Sequence, residues 1–300
     1  MPKQPDFIED VHRIYPSKGT KAFQGFEVNK VLFEDKSPYQ DVAVYTNDAL
    51  GRVLVLDGIV QITSADEFIY QEMLAHVPIF AHGEAENVLI IGGGDGGILR
   101  EVLRHGSIKK AVMVEIDQMV IDACIEHMPE INHGGKIYED PSAELIVGDA
   151  FEYVDKTKVM FDAVIIDSTD PIGPGEKLFT VDFYRNLSKI LAPRAFISTQ
   201  GGVPIFQPRE VAQTLASLVQ AGLRTDCYIA AIPTYYGGYM TMGYASNQTE
   251  LHPPLTALED RYKQAGFLTR HYSPAIHQAS FVLPPWIEAN IAHPQDQEAA

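Results

Sequence analysis

Val88-Leu89-Ile90-Ile91 runs straight into Gly92-Gly93-Gly94-Asp95-Gly96-Gly97, and a helical pattern resumes at Ile98. Four apolar residues without alternation describe a strand buried on both faces, as in a parallel sheet covered by helices. The glycines let the chain turn tightly into the helix. Such a junction presents free backbone N–H groups at a helix N-terminus, and a nucleotide can approach closely because no Cβ stands in the way. The next strand pattern, Ala111-Val112-Met113-Val114-Glu115, ends in an acid 20 positions after Asp95, where a ribose hydroxyl pair needs an acceptor. Strand, turn, helix and distal acid together describe an adenosine site.

Gly92-x-Gly94-x-x-Gly97 also fits the dinucleotide fingerprint, so the glycines alone do not separate a nicotinamide enzyme from one using a sulfonium nucleoside. Asp95 discriminates. A carboxylate inside the turn opposes a pyrophosphate but attracts a sulfonium or an ammonium. The charge balance points the same way: 40 acidic against 23 basic residues give a net charge of −17, which argues against nucleic-acid and anionic-lipid partners and favours cationic small ligands. Cys124 and Cys227 form no CxxC or metal-ligand spacing and suggest a reducing compartment. The start of the chain lacks an apolar signal core, and no apolar run approaches a membrane span. The expected location is the cytoplasm.

Residues 23–63 alternate in the strand manner, with Asp57-Gly58 as a two-residue hairpin signal between Arg52–Leu56 and Ile59–Ile62. A helix from Asp66 to His76, with Ser64 as its cap, is expected to lead into the larger unit. The division predicted is therefore an N-terminal β domain with its linking helix over 1–76 and a catalytic domain over 77–300. From Val88 onward strands at 88–91, 111–115, 144–147, 161–166 and 195–199 alternate with helices from about 97 and 118 and at 181–191 and 208–221. That alternation builds a parallel sheet with both faces covered. Two further strands, 226–230 and 239–245, close the sheet as an antiparallel hairpin, the pattern of sulfonium-nucleoside transferases. The last segment is read as peripheral and the tail from His293 as disordered.

Asp95, Glu115, Asp149 and Asp167 each fall at or just after the end of a successive predicted strand, so four carboxylates from distant sequence are expected on one rim of the sheet. Asp167-Ser168-Thr169-Asp170-Pro171 places two acids three apart. An amine attacks carbon only with its lone pair free, and at neutral pH that lone pair carries a proton. Asp167 is the candidate to orient and deprotonate such an amine, and Asp170 to hold positive charge nearby. Tyr70 lies on the helix joining the domains, where its hydroxyl could face the cleft. Tyr235-Tyr236 could wall a pocket for a methylene chain bearing a cation. No His-Glu-x-x-His or other metal-ligand spacing is present, and no metal is assigned.

Gly92–Gly97, Val114–Asp117, Asp167–Pro171 and Asp66-Glu67-Phe68-Ile69-Tyr70-Gln71-Glu72-Met73 together resemble spermidine synthase, the polyamine aminopropyltransferase, and most closely the bacterial enzymes. The likeness runs from about Phe26 to Pro285 and includes Gly173–Glu176 and Ile232–Tyr236. It implies a Rossmann-like, seven-stranded sheet of the class I methyltransferase type with a small N-terminal antiparallel β domain. It also implies aminopropyl transfer from decarboxylated S-adenosylmethionine, a cosubstrate and not a cofactor, to putrescine. By the same likeness Gln40, Asp95, Glu115, Asp149, Ala150 and Pro174 would bind the cosubstrate, with Glu115 on the ribose and Asp149 at the adenine. Gln71, Asp95, Asp167, Ser168, Thr169, Asp170, Gln200 and Tyr235 would bind the amine. Asp167 would accept the proton, aided by Tyr70 and the Ser168 carbonyl, in a homodimer or homotetramer.

Three differences from that family pattern stand out, the first two bearing on the acceptor and the third compatible with hydrogen bonding but not with a required imidazole. The only tryptophan is Trp286, whereas many relatives carry one near the N-terminus; Pro16-Ser17-Lys18-Gly19-Thr20-Lys21 looks inserted; and Gln71 stands where some bacterial members have histidine. The sequence leaves putrescine, cadaverine, agmatine and spermidine open as acceptors. Competing readings are a small-amine methyltransferase using intact S-adenosylmethionine, an NAD-dependent oxidoreductase, and a polyamine-binding sensor without turnover.

Overall fold

The apolar run before the glycines becomes a central strand of the main sheet. A computed structural model of the chain describes residues 6–10, 23–168 and 177–294. Thr169, Asp170, Pro174, the Pro16–Lys21 segment and the tail beyond 294 lie outside the described residues.

The N-terminal part is all β. Strands β1 (Phe7–Asp10) and β2 (Phe23–Phe26) pair antiparallel. Strands β3 (Lys30–Lys36), β4 (Asp41–Asn47), β5 (Gly51–Leu56) and β6 (Ile59–Thr63) form a four-stranded meander. Asp57 and Gly58 both take positive φ, 50° and 78°, the conformation that a tight hairpin turn between right-twisted strands requires. Of these strands the alternation anticipated parts of β2, β4, β5 and β6. β3 falls within the 23–63 stretch but was not singled out, because Lys30, Glu34, Asp35 and Lys36 leave only Val31, Leu32 and Phe33 as an apolar signal, and β1, a four-residue strand, lies outside that stretch.

The link to the larger sheet is α1 (Glu67–His82). It extends six residues past the expected His76 and contains Pro78. A proline disfavours helix at the residue before it, but here almost every residue from Ile69 to His82 is buried, and packing on the sheet overrides local preference. Ser64 does not cap this helix: its hydroxyl accepts from the Arg52 N–H at 2.7 Å. Asp66 occupies the cap position yet makes no capping bond.

The main sheet contains β7 (Asn87–Gly92), β8 (Lys110–Glu115), β9 (Ala143–Val147), β10 (Phe161–Asp167), β11 (Leu191–Gln200), β12 (Arg224–Ala231) and β13 (Tyr239–Ser246), in the spatial order β12-β13-β11-β10-β7-β8-β9. The five strands from β9 to β11 are mutually parallel; β13 pairs antiparallel with β11, and β12 antiparallel with β13. The connecting helices are α2 (Gly97–Leu103), α3 (Gln118–His127), α4 (Pro129–Asn132), α5 (Ala150–Lys156), α6 (Val181–Ser188) and α7 (Glu210–Gln220). Strand order reverses between β7 and β10, so the two loops beginning at Gly92 and Asp167 diverge and leave a crevice, where ligands enter such sheets. The N-terminal meander packs Val42, Val44, Leu54 and Ile62 onto Val120, Cys124 and Met128 beside α3, which roofs that crevice.

The C-terminal part departs from the sequence reading. Helices α8 (Leu255–Ala265), α9 (Pro274–Ser280) and α10 (Pro285–Ala292) follow the sheet. Leu258 and Tyr272 join the main core. Buried Glu72 of α1 accepts the backbone N–H groups of Arg270, His271 and Tyr272 at 2.8, 2.8 and 2.7 Å. A buried carboxylate that gathers three N–H donors makes this segment integral and not peripheral. Among the described residues no helix is long and apolar enough to cross a membrane.

Candidate active site

The glycine turn is built for close approach. Gly92 sits opposite Asp167 in the β7–β10 register, with φ at +81° and no space for a side chain: a Cβ there would lie 2.0 Å from the Asp167 carbonyl oxygen. The Gly93 N–H donates to that same carbonyl at 3.2 Å. Backbone contact between the two loops therefore fixes Asp167 beside the turn carrying Asp95.

Asp95 is buried. Its Oδ1 accepts from the Gly97 N–H at 2.7 Å and from Gln71 Nε2 at 2.9 Å, while Asn132 donates to its backbone carbonyl at 3.1 Å. Asp167, the last residue of β10, accepts from the Tyr70 hydroxyl at 2.6 Å. Burial raises the proton affinity of Asp95, and the neighbouring Asp167 raises it further, against the Gly97 N–H. Asp167 is also raised by burial, with the Tyr70 hydroxyl holding it down in part. Two carboxylates at the end of one crevice, without a cation between them, each favour the protonated form. Such a pair is complementary to bound positive charge.

Glu115 ends β8 and is buried. Burial pushes its carboxyl up to about 7, opposed by the backbone N–H groups of Asp117 and Ile116. Its Oε1 accepts from the Asp117 N–H at 2.8 Å, and Oε2 lies over Gly94, 3.1 Å from where a Cβ would stand. Asp117 caps α3 through Met119 N and ties in the N-terminal sheet, accepting from Ser37 Oγ at 2.6 Å and Gln40 Nε2 at 2.9 Å. Asp149 caps α5, accepting from the Phe151 N–H at 2.8 Å, and Ala150 follows at the start of that helix.

A single cleft collects these groups. Gln40, Tyr70, Asp95, Glu115, Asp149, Ala150, Asp167, Ser168, Gln200 and Tyr235 all line it. Gln71 is fully buried beneath Asp95 instead of on the wall, with its Oε1 and Ser168 Oγ lacking hydrogen-bond partners among the described residues. Tyr235 donates to the Gln61 carbonyl at 2.7 Å and meets the Tyr70 ring edge-on at 6.1 Å between centroids. Gln200 Oε1 accepts from the Gly202 N–H at 3.1 Å. Sequence reasoning missed the roof residues Leu54, Leu56, Ile59 and Gln61, and it missed Lys177, Val203, Gln207 and Met240. Most are ordinary strand or loop residues with no motif. Asn132 and Tyr138, which reach Asp95 and Gly94 from the α4 region, also carry no local signal.

Comparison with known proteins follows the same lines. Residues 67–253 match the family model of the spermine/spermidine synthase domain, and residues 18–64 match that of the spermidine synthase tetramerisation domain. The polyamine aminopropyltransferase of Serratia proteamaculans (strain 568) is 46% identical over 265 residues, 88% of this chain and 92% of that protein. That of Pectobacterium carotovorum subsp. carotovorum (strain PC1) is 45% identical over 273 residues, 91% of this chain and 94% of that protein. Among solved structures, a spermidine synthase in complex with the transition-state analogue AdoDATO superposes with a TM-score of 0.86 at 32% identity, covering 97% of each chain. The spermidine synthase from Thermotoga maritima gives 0.85 at 33% identity over 97% of this chain and 96% of that one.

Proposed function

The chain belongs to the spermine/spermidine synthase family of polyamine aminopropyltransferases, and on that footing we propose that it moves an aminopropyl group from decarboxylated S-adenosylmethionine to putrescine, yielding spermidine and methylthioadenosine. The observation that carries this reading is the pair Asp95 and Asp167, both with raised proton affinity, at the end of a cleft that also presents Glu115 and Asp149. Glu115 Oε2 accepts from the ribose hydroxyls and Asp149 from the adenine amino group, with Gln40 and Ala150 beside them. Pro174, outside the described residues, is assigned to the cosubstrate by the family resemblance alone. The aminopropyl ammonium sits against Asp95, which Gln71 holds from behind.

In the transfer step Asp167 takes a proton from the acceptor ammonium, and the nitrogen lone pair so freed attacks the methylene carbon next to sulfur. The carbon–sulfur bond breaks, and its electron pair neutralises the sulfonium. Tyr70 keeps that carboxylate oriented by its 2.6 Å bond, and the Ser168 carbonyl orients the amine. Gln200, Tyr235, Thr169 and Asp170 serve the rest of the diamine. Because the donor's own sulfonium supplies the electrophile, the reaction uses a cosubstrate and no separate cofactor or metal. The enzyme is proposed to act in the cytoplasm as a homodimer or homotetramer assembled through the N-terminal strands. Exposed Ile8, Phe23 and Val31 and the 18–64 match support that assembly.

The test is calorimetric titration of the decarboxylated and the intact donor. The extra carboxylate of the intact donor meets Asp95 and Asp167; one like-charge contact at 4 Å costs on the order of 4 kcal/mol at an effective dielectric of 20. Solvent access reduces that, and the decarboxylated donor is expected to bind at least roughly tenfold tighter. Equal affinities would refute aminopropyl transfer and favour methyl transfer.

A further inference from the structure

Asp66 occupies the N-cap position of α1 and spends its carboxylate elsewhere. Its Oδ2 accepts both the backbone N–H and the hydroxyl of Thr234, at 2.9 and 2.6 Å, and its Oδ1 accepts the Thr63 hydroxyl at 2.7 Å. The side chain is buried and makes no bond to the first turn of α1. One carboxylate thus joins the end of β6, the start of α1 and the loop between β12 and β13, which lies 168 residues away in sequence.

That loop bears Tyr235. With Thr234 pinned by Asp66, the Tyr235 hydroxyl reaches the Gln61 carbonyl at 2.7 Å, and its ring closes edge-on against Tyr70. Tyr70 is four residues along α1 from Asp66 and holds Asp167. Asp66 itself does not line the cleft. Charge-assisted bonds to a buried carboxylate are the strong ones, and fixing a binding loop in advance raises affinity by lowering the ordering cost on association.

We propose that Asp66 is a positioning residue for the acceptor end of the site: it holds the Tyr235 loop closed and thereby sets affinity for the amine, without contacting substrate and without acting on the nucleoside end. This rests on the transfer reaction proposed above. Glu115, Asp149 and the glycine turn hang on other strands and make no bond to Asp66, so the two ends of the cleft separate in their response.

The experiment compares wild type with Asp66→Ala, Asp66→Asn and Thr234→Val, measuring KM for putrescine, kcat and calorimetric affinity for methylthioadenosine. Asp66→Ala is expected to raise the amine KM by about tenfold, a loss of about 1.4 kcal/mol in binding. The same variant should leave kcat within about threefold and methylthioadenosine affinity within about twofold, both less than that loss. Asp66→Asn should recover most of the KM, since an amide can still accept from Thr234 N–H and donate to Thr63 Oγ1. Thr234→Val, which keeps the backbone bond and the side-chain shape, should raise KM by about threefold, the size of one modest hydrogen bond. An unchanged amine KM in Asp66→Ala overturns the inference, as does a parallel loss of methylthioadenosine affinity, which marks a general structural role. Should the alanine variant not fold, Thr234→Val decides by the same two criteria. Absence of aminopropyl transfer in the wild type would instead remove the reaction on which the inference rests.

Discussion

Replacing the buried Asp95 with asparagine removes one of two neighbouring carboxylates while leaving its hydrogen bonds in place. The amide Oδ1 keeps the Gly97 N–H and the Gln71 amide that Oδ1 of Asp95 accepts at 2.7 and 2.9 Å. In the ligand-free protein, burial and then Asp167 push Asp95 up to about 8; an unfolded carboxyl titrates near 3.9. Folding with a raised carboxyl is fully favourable below the unfolded value, and that contribution is lost as pH rises through the folded one. The wild type therefore carries a penalty that grows between about pH 4 and pH 8. Set against the cost of desolvating the new amide N–H₂, about 1–3 kcal/mol, the relief of that penalty should leave Asp95→Asn the more stable protein at pH 8 and raise its Tm. The assay is a series of thermal melts of both proteins, without ligand, from pH 4.5 to 8.5. The difference should shrink steadily as pH falls. A variant less stable than wild type at pH 8, or a difference independent of pH, refutes the buried-charge origin of the penalty.

Tyr70→Phe removes a hydroxyl that lowers the proton affinity of Asp167, so the acid limb of the pH–rate profile should move to higher pH and turnover near neutrality should fall by about tenfold, less than the roughly 10²–10⁴-fold that outright loss of a general base entails; an unmoved acid limb contradicts this. Gly97→Ala places a Cβ 2.6 Å from the Gln71 amide and 2.9 Å from Asp95 Oδ1, and with both side chains buried it should break the bond between them. A rise of about tenfold in amine KM, with methylthioadenosine affinity within about twofold, is expected; an unchanged amine KM would show that Asp95 does not depend on Gln71.

How much could be read in the sequence varies with the range of the interaction. The β7 strand, its glycine turn and the carboxylates at successive strand ends were legible because each is a local signal repeated in register. Asp57-Gly58 announced its hairpin because the turn demands positive φ from both residues. Ser64 misled because a capping residue looks the same whether it bonds its own helix or, as here, the Arg52 N–H. The helix read as ending at His76 runs on through Pro78 to His82, because nothing nearby in the sequence records the sheet packing that carries it. The C-terminal helices looked peripheral because the three N–H bonds of Glu72 to residues 270–272 span about 200 residues of chain. At the site, Asp95, Glu115, Asp149 and Asp167 could be placed from strand ends. Gln61 and the Leu54–Leu56 roof could not, because the packing of one sheet over another leaves no motif.

The most direct measurement is mass-spectrometric product analysis of the protein incubated with decarboxylated S-adenosylmethionine and putrescine, beside Asp167→Asn checked for an intact fold by thermal melting. Wild type should release methylthioadenosine and spermidine in equal amounts, and the variant should turn over roughly 10²–10⁴-fold more slowly, as loss of a general base entails. Wild type that makes no methylthioadenosine, or an Asp167→Asn protein with near wild-type turnover, contradicts transfer through Asp167.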